Sequence, residues 1–74
     1  MNFEKVRVID SYIINKNTGK AEIFAAKVKI SRGMLYRYLT YMKIELNAPI
    51  IYNRIKNTYQ YDEAGKLCVN GWDK

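Results

Sequence analysis

Phe24 to Leu39, FAAKVKISRGMLYRYL, is the stretch on which the fold of this 74-residue chain turns. Counting about 100° per residue from Leu35, a helix brings Tyr38, Leu39, Met42 and Leu46 onto one apolar stripe and turns Gly33, Tyr36, Arg37 and Thr40 to the other side. Ser31 stands directly before this segment as an N-cap. Asn47 follows the last apolar residue and Pro49 comes two later, the pattern of a left-handed C-cap and a stop. The spacing therefore predicts a helix over about 31–46. Upstream, residues 20–27 fit a short helix whose apolar part is Ile23, Phe24, Ala25 and Ala26, and Val28, Lys29 and Ile30 make a tight connection. Ala25 supplies a small contact where the two helices cross, Val28 and Ile30 bury the turn, and Leu35 and Leu39 anchor the second helix. Two helices on a three-residue turn, the second capped and polar outside, form a helix-turn-helix.

Working outward, residues 3–16 read as a first helix. Phe3, Val6, Ile9, Tyr12, Ile13 and Ile14 fall on one broad arc, Asn2 can cap the start, and Lys5, Arg7 and Ser11 face away. Asp10 falls inside the arc, where a carboxylate needs an arginine, a tyrosine hydroxyl or a helix N-terminus as partner. Asn17, Thr18 and Gly19 then allow a turn. After Pro49 the apolar period changes from 3.6 to 2. Ile50 and Tyr52, then Tyr59 and Tyr61, alternate with Ile51, Asn53 and Gln60, so residues 49–53 and 58–62 pair as a hairpin around Arg54, Ile55, Lys56 and Asn57. In the tail, residues 63–74, a polar turn over 62–65 precedes a short extra strand at Leu67 to Val69, and Asn70 with Gly71 turns the chain toward Trp72. The expected architecture is one α+β domain over 1–74, a winged helix-turn-helix of three helices followed by a two-stranded wing over about 49–62.

The same run, from Phe24 to Leu39, closely resembles the bacterial helix-turn-helix pattern with a Leu-Ala pair, a turn ending Ile-Ser and an Arg-rich helix containing Leu-Tyr-Arg. LNAPIIY, Leu46 to Tyr52, resembles the connection from that helix into the wing. Over roughly residues 3–61 the chain looks like the small winged-helix domains of bacterial regulators of the DeoR and WYL type. The resemblance implies DNA binding, with the third helix in the major groove and the wing on the backbone or minor groove. Two positions depart from the pattern. Lys29 stands where the family usually has glycine, and a left-handed lysine costs about 1 kcal/mol; Asn47 replaces another glycine, at lower cost. The larger regulators carry an effector or oligomerisation domain after the wing, which these residues do not include.

Composition narrows the chemistry. The chain has no histidine and a single cysteine, Cys68, so an intrachain disulfide, a Cys/His zinc site and histidine acid-base chemistry are excluded. Seven carboxylates show no metal or acid-base pattern, and no enzyme activity, cofactor or metal is expected. Thirteen basic residues give a formal net charge of +6, concentrated in the middle, where Arg32, Arg37, Lys43, Arg54 and Lys56 face a single Glu45 over residues 31–58. A polyanion is the partner this field suggests, although such a charge also serves solubility alone. Charged residues at the N-terminus and the lack of a long apolar run point to a soluble, cytoplasmic protein without membrane association.

The candidate DNA contacts are Ser31, Arg32, Gly33, Tyr36, Arg37, Thr40 and Lys43 on the third helix, with Arg54 and Lys56 on the wing. Arg37 can bond guanine O6 and N7 with two donors, against the alternative of a solvated arginine. Tyr36 packs on a sugar or a thymine methyl, or else forms an exposed edge of the core; Tyr38 and Tyr41 read as core or rim. Arg54 and Lys56 reach phosphates or the minor groove, or merely discourage strand association. Cys68, between apolar residues, reads as a buried inert thiol. The expected function is that of a sequence-specific double-stranded DNA-binding protein, a small transcriptional regulator or mobile-element accessory factor. The alternative is a winged-helix interaction module docking on a larger partner through Trp72 and the wing. Because one such module reads few base pairs, a homodimer or partner protein is expected. Leu67, Val69 and Trp72 would supply that surface or close the bottom of the core.

Overall fold

A computed structural model describes all 74 residues. In chain order it contains α1 (Phe3–Ile14), α2 (Ala21–Lys27), α3 (Arg32–Ile44), β1 (Ile50–Asn53), β2 (Thr58–Tyr61), β3 (Lys66–Cys68) and β4 (Gly71–Asp73). The strands form two separate antiparallel pairs, β1 with β2 and β3 with β4. Tyr52 opposes Tyr59 and Ile50 opposes Tyr61 in the first; Leu67 opposes Trp72 in the second. The fold is α+β, three helices followed by two small hairpins, an arrangement compatible with a winged-helix-like domain.

One core joins these elements. Val6, Ile9 and Ile13 of α1, Phe24 and Ala25 of α2, and Leu35, Tyr38, Leu39 and Met42 of α3 are buried together with Val28, Leu46, Ala48 and Ile50. Phe24 is fully buried, with ring centroids 6.0 Å from Tyr12 and 5.7 Å from Tyr59. That places a side chain worth about 3–5 kcal/mol on truncation between α1 and the first hairpin. Val28 is buried and Ile30 half-buried in the connection, as the sequence predicts. Ile14, assigned to the apolar arc of α1, and Ile23 of α2 are instead exposed, because each lies one residue, about 100° around the helix, from the buried Ile13 or Phe24.

The helix ends explain the differences from the expected bounds. Asn2 Oδ1 accepts from the Glu4 and Lys5 amides, opening α1, and Ser31 Oγ accepts from the Met34 amide at 3.1 Å, opening α3. α1 stops at Ile14 rather than 16. There the Asn17 amide donates to Tyr12 O and the Lys16 amide to Ile13 O, with Lys16 left-handed at φ 52°. α2 ends the same way: Ile30 donates to Ala25 O, Lys29 donates to Ala26 O, and Lys29 has φ 61°. Both are complete Schellman caps in which lysine occupies the position usually held by glycine. α3 ends at Ile44, short of the expected 46. Asn47 is left-handed at φ 54° as anticipated, and Leu46, outside the helix, is still buried.

The tail departs most from expectation. Instead of one extra strand at Leu67 to Val69, it forms a second hairpin with Val69 in the turn. The Trp72 amide donates to Leu46 O at 2.7 Å and its ring lies 4.4 Å from that of Tyr61. Leu67 and Trp72 pack half-buried against the core, so the packing supports the core-closing role for both, while Val69 is 73% exposed. Trp72 Nε1 is buried without an acceptor. Gly65, at φ 150°, has no room for a side chain, since a Cβ there would sit 2.7 Å from Asp73 O and 2.9 Å from the Trp72 ring. Cys68 is half-buried rather than buried.

Candidate nucleic-acid interface

The buried stripe on α3 leaves one side of the helix to solvent. Gly33, Tyr36, Arg37, Thr40 and Lys43 are all exposed, at the i, i+3, i+4, i+7 and i+10 spacing of a helix face. No ion pair or hydrogen bond engages Arg37 or Lys43 with the rest of the chain. Gly33 is helical, and a Cβ added there would meet nothing within 4 Å, so the first turn of α3 is open down to its backbone. Tyr36, Arg37 and Thr40, joined by Met1 and Tyr41, border a shallow, largely apolar depression on this face. Met1 and Tyr41 carry no local signal of this role, since Tyr41 reads equally well as core rim.

Two predicted residues are otherwise engaged. Ser31 is exposed, but its hydroxyl oxygen caps α3. Arg32 does not face outward alone: its guanidinium pairs with Glu22 of α2 at 3.1 Å, both side chains well exposed. Such a pair is worth at most about 1 kcal/mol, yet it cancels one positive charge beside the α3 N-terminus. Lys5 and Lys27 are likewise occupied, donating to Val28 O and to Asn17 O at 3.0 and 2.9 Å.

At the tip of the first hairpin, Arg54 and Lys56 are exposed and unpaired in the four-residue loop between β1 and β2. The loop is ordered by a residue outside the predicted set. Asn53 Oδ1 accepts from the Ile55 and Lys56 amides at 3.0 and 3.1 Å, while its Nδ2 donates to Gln60 Oε1. Across the loop the Tyr52 hydroxyl donates to Asn57 Oδ1 at 3.2 Å, with Asn57 left-handed at φ 51°. An asparagine one residue before a loop is a recognisable Asx-turn signal.

Tyr36 connects the two parts of the surface. It is 49% exposed, and its phenol neighbours that of Tyr59 on β2; burial pushes the Tyr59 hydroxyl above its ordinary value and the Tyr36 phenol adds to the shift. Tyr59 packs edge-on against Tyr52, 4.9 Å between centroids. The tip cations themselves make no hydrogen bond or ion pair with α3.

No helix is long and apolar enough to cross a membrane. No family model matches the sequence, and no curated protein or solved structure matches it. Fold and surface together define a class, a compact α+β domain with a helix, tight turn and helix followed by an ordered basic hairpin.

Proposed function

We propose that this chain is a winged helix-turn-helix that binds double-stranded DNA, with α3 in the major groove and the β1–β2 hairpin as a wing on the backbone or minor groove. The observation that carries the reading is the exposed side of α3. Arg37 and Lys43 stand free of any internal acceptor beside Tyr36 and Thr40, Arg37 on the side of the helix opposite the buried stripe and Lys43 on its exposed flank. Unpaired guanidinium and ammonium groups on a helix face can donate to phosphates and to guanine O6 and N7. Arg54 and Lys56 add two further cations on an ordered loop. In this reading the protein is a non-catalytic DNA-binding factor, a small regulator or mobile-element accessory, and a second copy or a partner supplies the selectivity one module lacks.

Titration of duplex DNA at several salt concentrations tests the proposal. Binding through several phosphates weakens steeply as salt rises, with log K falling by about 0.9 per phosphate contact for each unit of log salt. Affinity that is insensitive to salt, or no affinity for duplex DNA at low salt, overturns it in favour of docking on a protein partner. Selection of bound sequences from a random duplex pool then identifies the site.

A further inference from the structure

The tip of the wing carries a feature that neither the fold nor the phosphate contacts explain. Ile55 is 93% exposed, the most exposed large apolar side chain of the chain. It is held between Arg54 and Lys56 on a loop fixed by Asn53 and Asn57. Exposed isoleucines are common enough singly, but this one is presented on an ordered prow rather than a loose loop. The Ile55 and Lys56 amides are already taken by Asn53, so the tip offers a partner no backbone donors from those two residues. What it offers is a branched apolar group flanked by two cations.

Resting on the DNA reading above, we infer that Ile55 is a wedge. The two cations seat the tip across the phosphates of the minor groove, and the isoleucine side chain enters the groove, partly unstacks a base step and bends the duplex toward the major groove held by α3. Apolar wedges of this size act in this way and kink DNA by roughly 20–90°. Pyrimidine-purine steps unstack most easily, so the wedge also confers a sequence preference, for TA or CA, at a position no side chain reads through hydrogen bonds. DNA is favoured over an anionic lipid surface, which would accept the same tip, because the unpaired cations of α3 offer donors to a second strip of phosphates beyond the tip.

The test is the bend angle, read by energy transfer between dyes at the two ends of a duplex taken from the selected pool, for the parent and for Ile55→Ser and Ile55→Phe. The expected result is a bend of roughly 20° or more with the parent and with Ile55→Phe, and end-to-end distances close to those of free duplex with Ile55→Ser. Because Ile55 is 93% exposed, Ile55→Ser melts with the parent. Because no charge is lost, its salt slope is also unchanged. An unbent parent complex, or a bend that Ile55→Ser preserves, overturns the wedge while leaving DNA binding standing. Loss of all duplex binding by the parent overturns the DNA reading and the wedge with it. Uptake of the parent by phosphatidylserine vesicles that Ile55→Ser abolishes, without any DNA bend, assigns the tip to membranes instead.

Discussion

The hydroxyls of Thr18 and Thr58 lie 3.1 Å apart with both side chains buried. They tie the α1–α2 connection to the base of the first hairpin. Thr58 Oγ1 accepts from the Thr18 amide at 3.2 Å, and Thr18 Oγ1 accepts from the Tyr59 amide at 2.8 Å. The Thr18 hydroxyl proton goes to Gly19 O. Each threonine thus satisfies a backbone amide near the other, and the base of the first hairpin is braced by side-chain bonds to the α1–α2 connection. Thr58→Val strands the Thr18 amide in the interior and should cost about 1–3 kcal/mol, a fall of roughly 4 °C or more in Tm for a domain of this size. Thr18→Val should cost a similar amount, and the double variant less than the sum, because the two share one network. Strict additivity in denaturant melts would show that the two hydroxyls act independently.

Asp10 meets its half-buried position through Tyr61, whose hydroxyl donates to Oδ1, one of the three partners the sequence allows. Burial holds the Asp10 carboxyl above the ordinary aspartate range, against the pull of the Tyr61 bond and of Arg7. The native state therefore binds the proton more tightly than the unfolded chain. The contribution of Asp10 to stability is complete below the unfolded aspartate value and is lost as pH rises through the folded one. Tyr61→Phe removes the donor, so the folded value should rise further and the fall in stability extend toward neutral pH, with a loss of about 1–2 kcal/mol at pH 7. Following the Asp10 carboxyl carbon by NMR decides the point: identical titration in parent and variant would exclude the coupling.

Lys29 illustrates a cost the fold carries in the open. Its left-handed backbone, φ 61°, strains a residue with a Cβ by about 1–2 kcal/mol. Part of that is offset by a cation at a helix C-terminus, about 0.3–1 kcal/mol, and by the lower chain entropy of lysine relative to glycine. Lys29→Gly should therefore stabilise the chain by roughly 0.5–1 kcal/mol and raise Tm by a few degrees. Lys29→Ala keeps the strain and should not. Equal melting of the two variants would mean that the turn relaxes away from the Schellman geometry.

The parts of this fold legible in the sequence are those with local periodicity. The Leu35, Leu39 and Met42 stripe, the Ser31 cap and the four-residue loop at Arg54 to Asn57 all carry short-range signals. The end of α1 is concealed because its Schellman cap is closed by Lys16 rather than glycine. The second hairpin has strands of three residues, too short to show an alternation that distinguishes β4 from a turn. Thr18 and Thr58 stand 40 residues apart, each in a polar stretch, and nothing local announces that they meet. For the interface, exposure of Tyr36, Arg37 and Thr40 follows from the period alone, whereas the Arg32–Glu22 pair crosses the turn and depends on how α2 meets α3.

Gly33 separates fold from function in one substitution. It is an exposed glycine in the first turn of α3 with open space around it, so Gly33→Ala should stabilise α3, by at most the roughly 0.8–1.0 kcal/mol of a helix-interior position. On the DNA reading the added methyl stands on the face that meets the duplex, and affinity should fall while Tm rises. Calorimetry and a duplex titration on the same preparation check both signs. A variant that is more stable and binds DNA unchanged would place the first turn of α3 away from the groove.

Arg37 and the wing cations should differ in kind. Arg37→Ala leaves the core untouched and should remove about 1–3 kcal/mol of discrimination, with one base pair of the selected site becoming degenerate. Removing Arg54 and Lys56 together takes away charge that reads no base edge, so the selected site and random duplexes that share its TA or CA step should weaken alike, and the salt slope should flatten by roughly one to two units. Neither change touches Asn53 or Asn57, so the loop keeps its shape and its isoleucine, and the loss reports on the cations alone. Measured side by side, the two variants assign specificity to α3 and electrostatic seating to the wing. A double variant that loses affinity for the selected site but not for random duplexes sharing its TA or CA step would reverse that assignment and make the hairpin a reader of base edges.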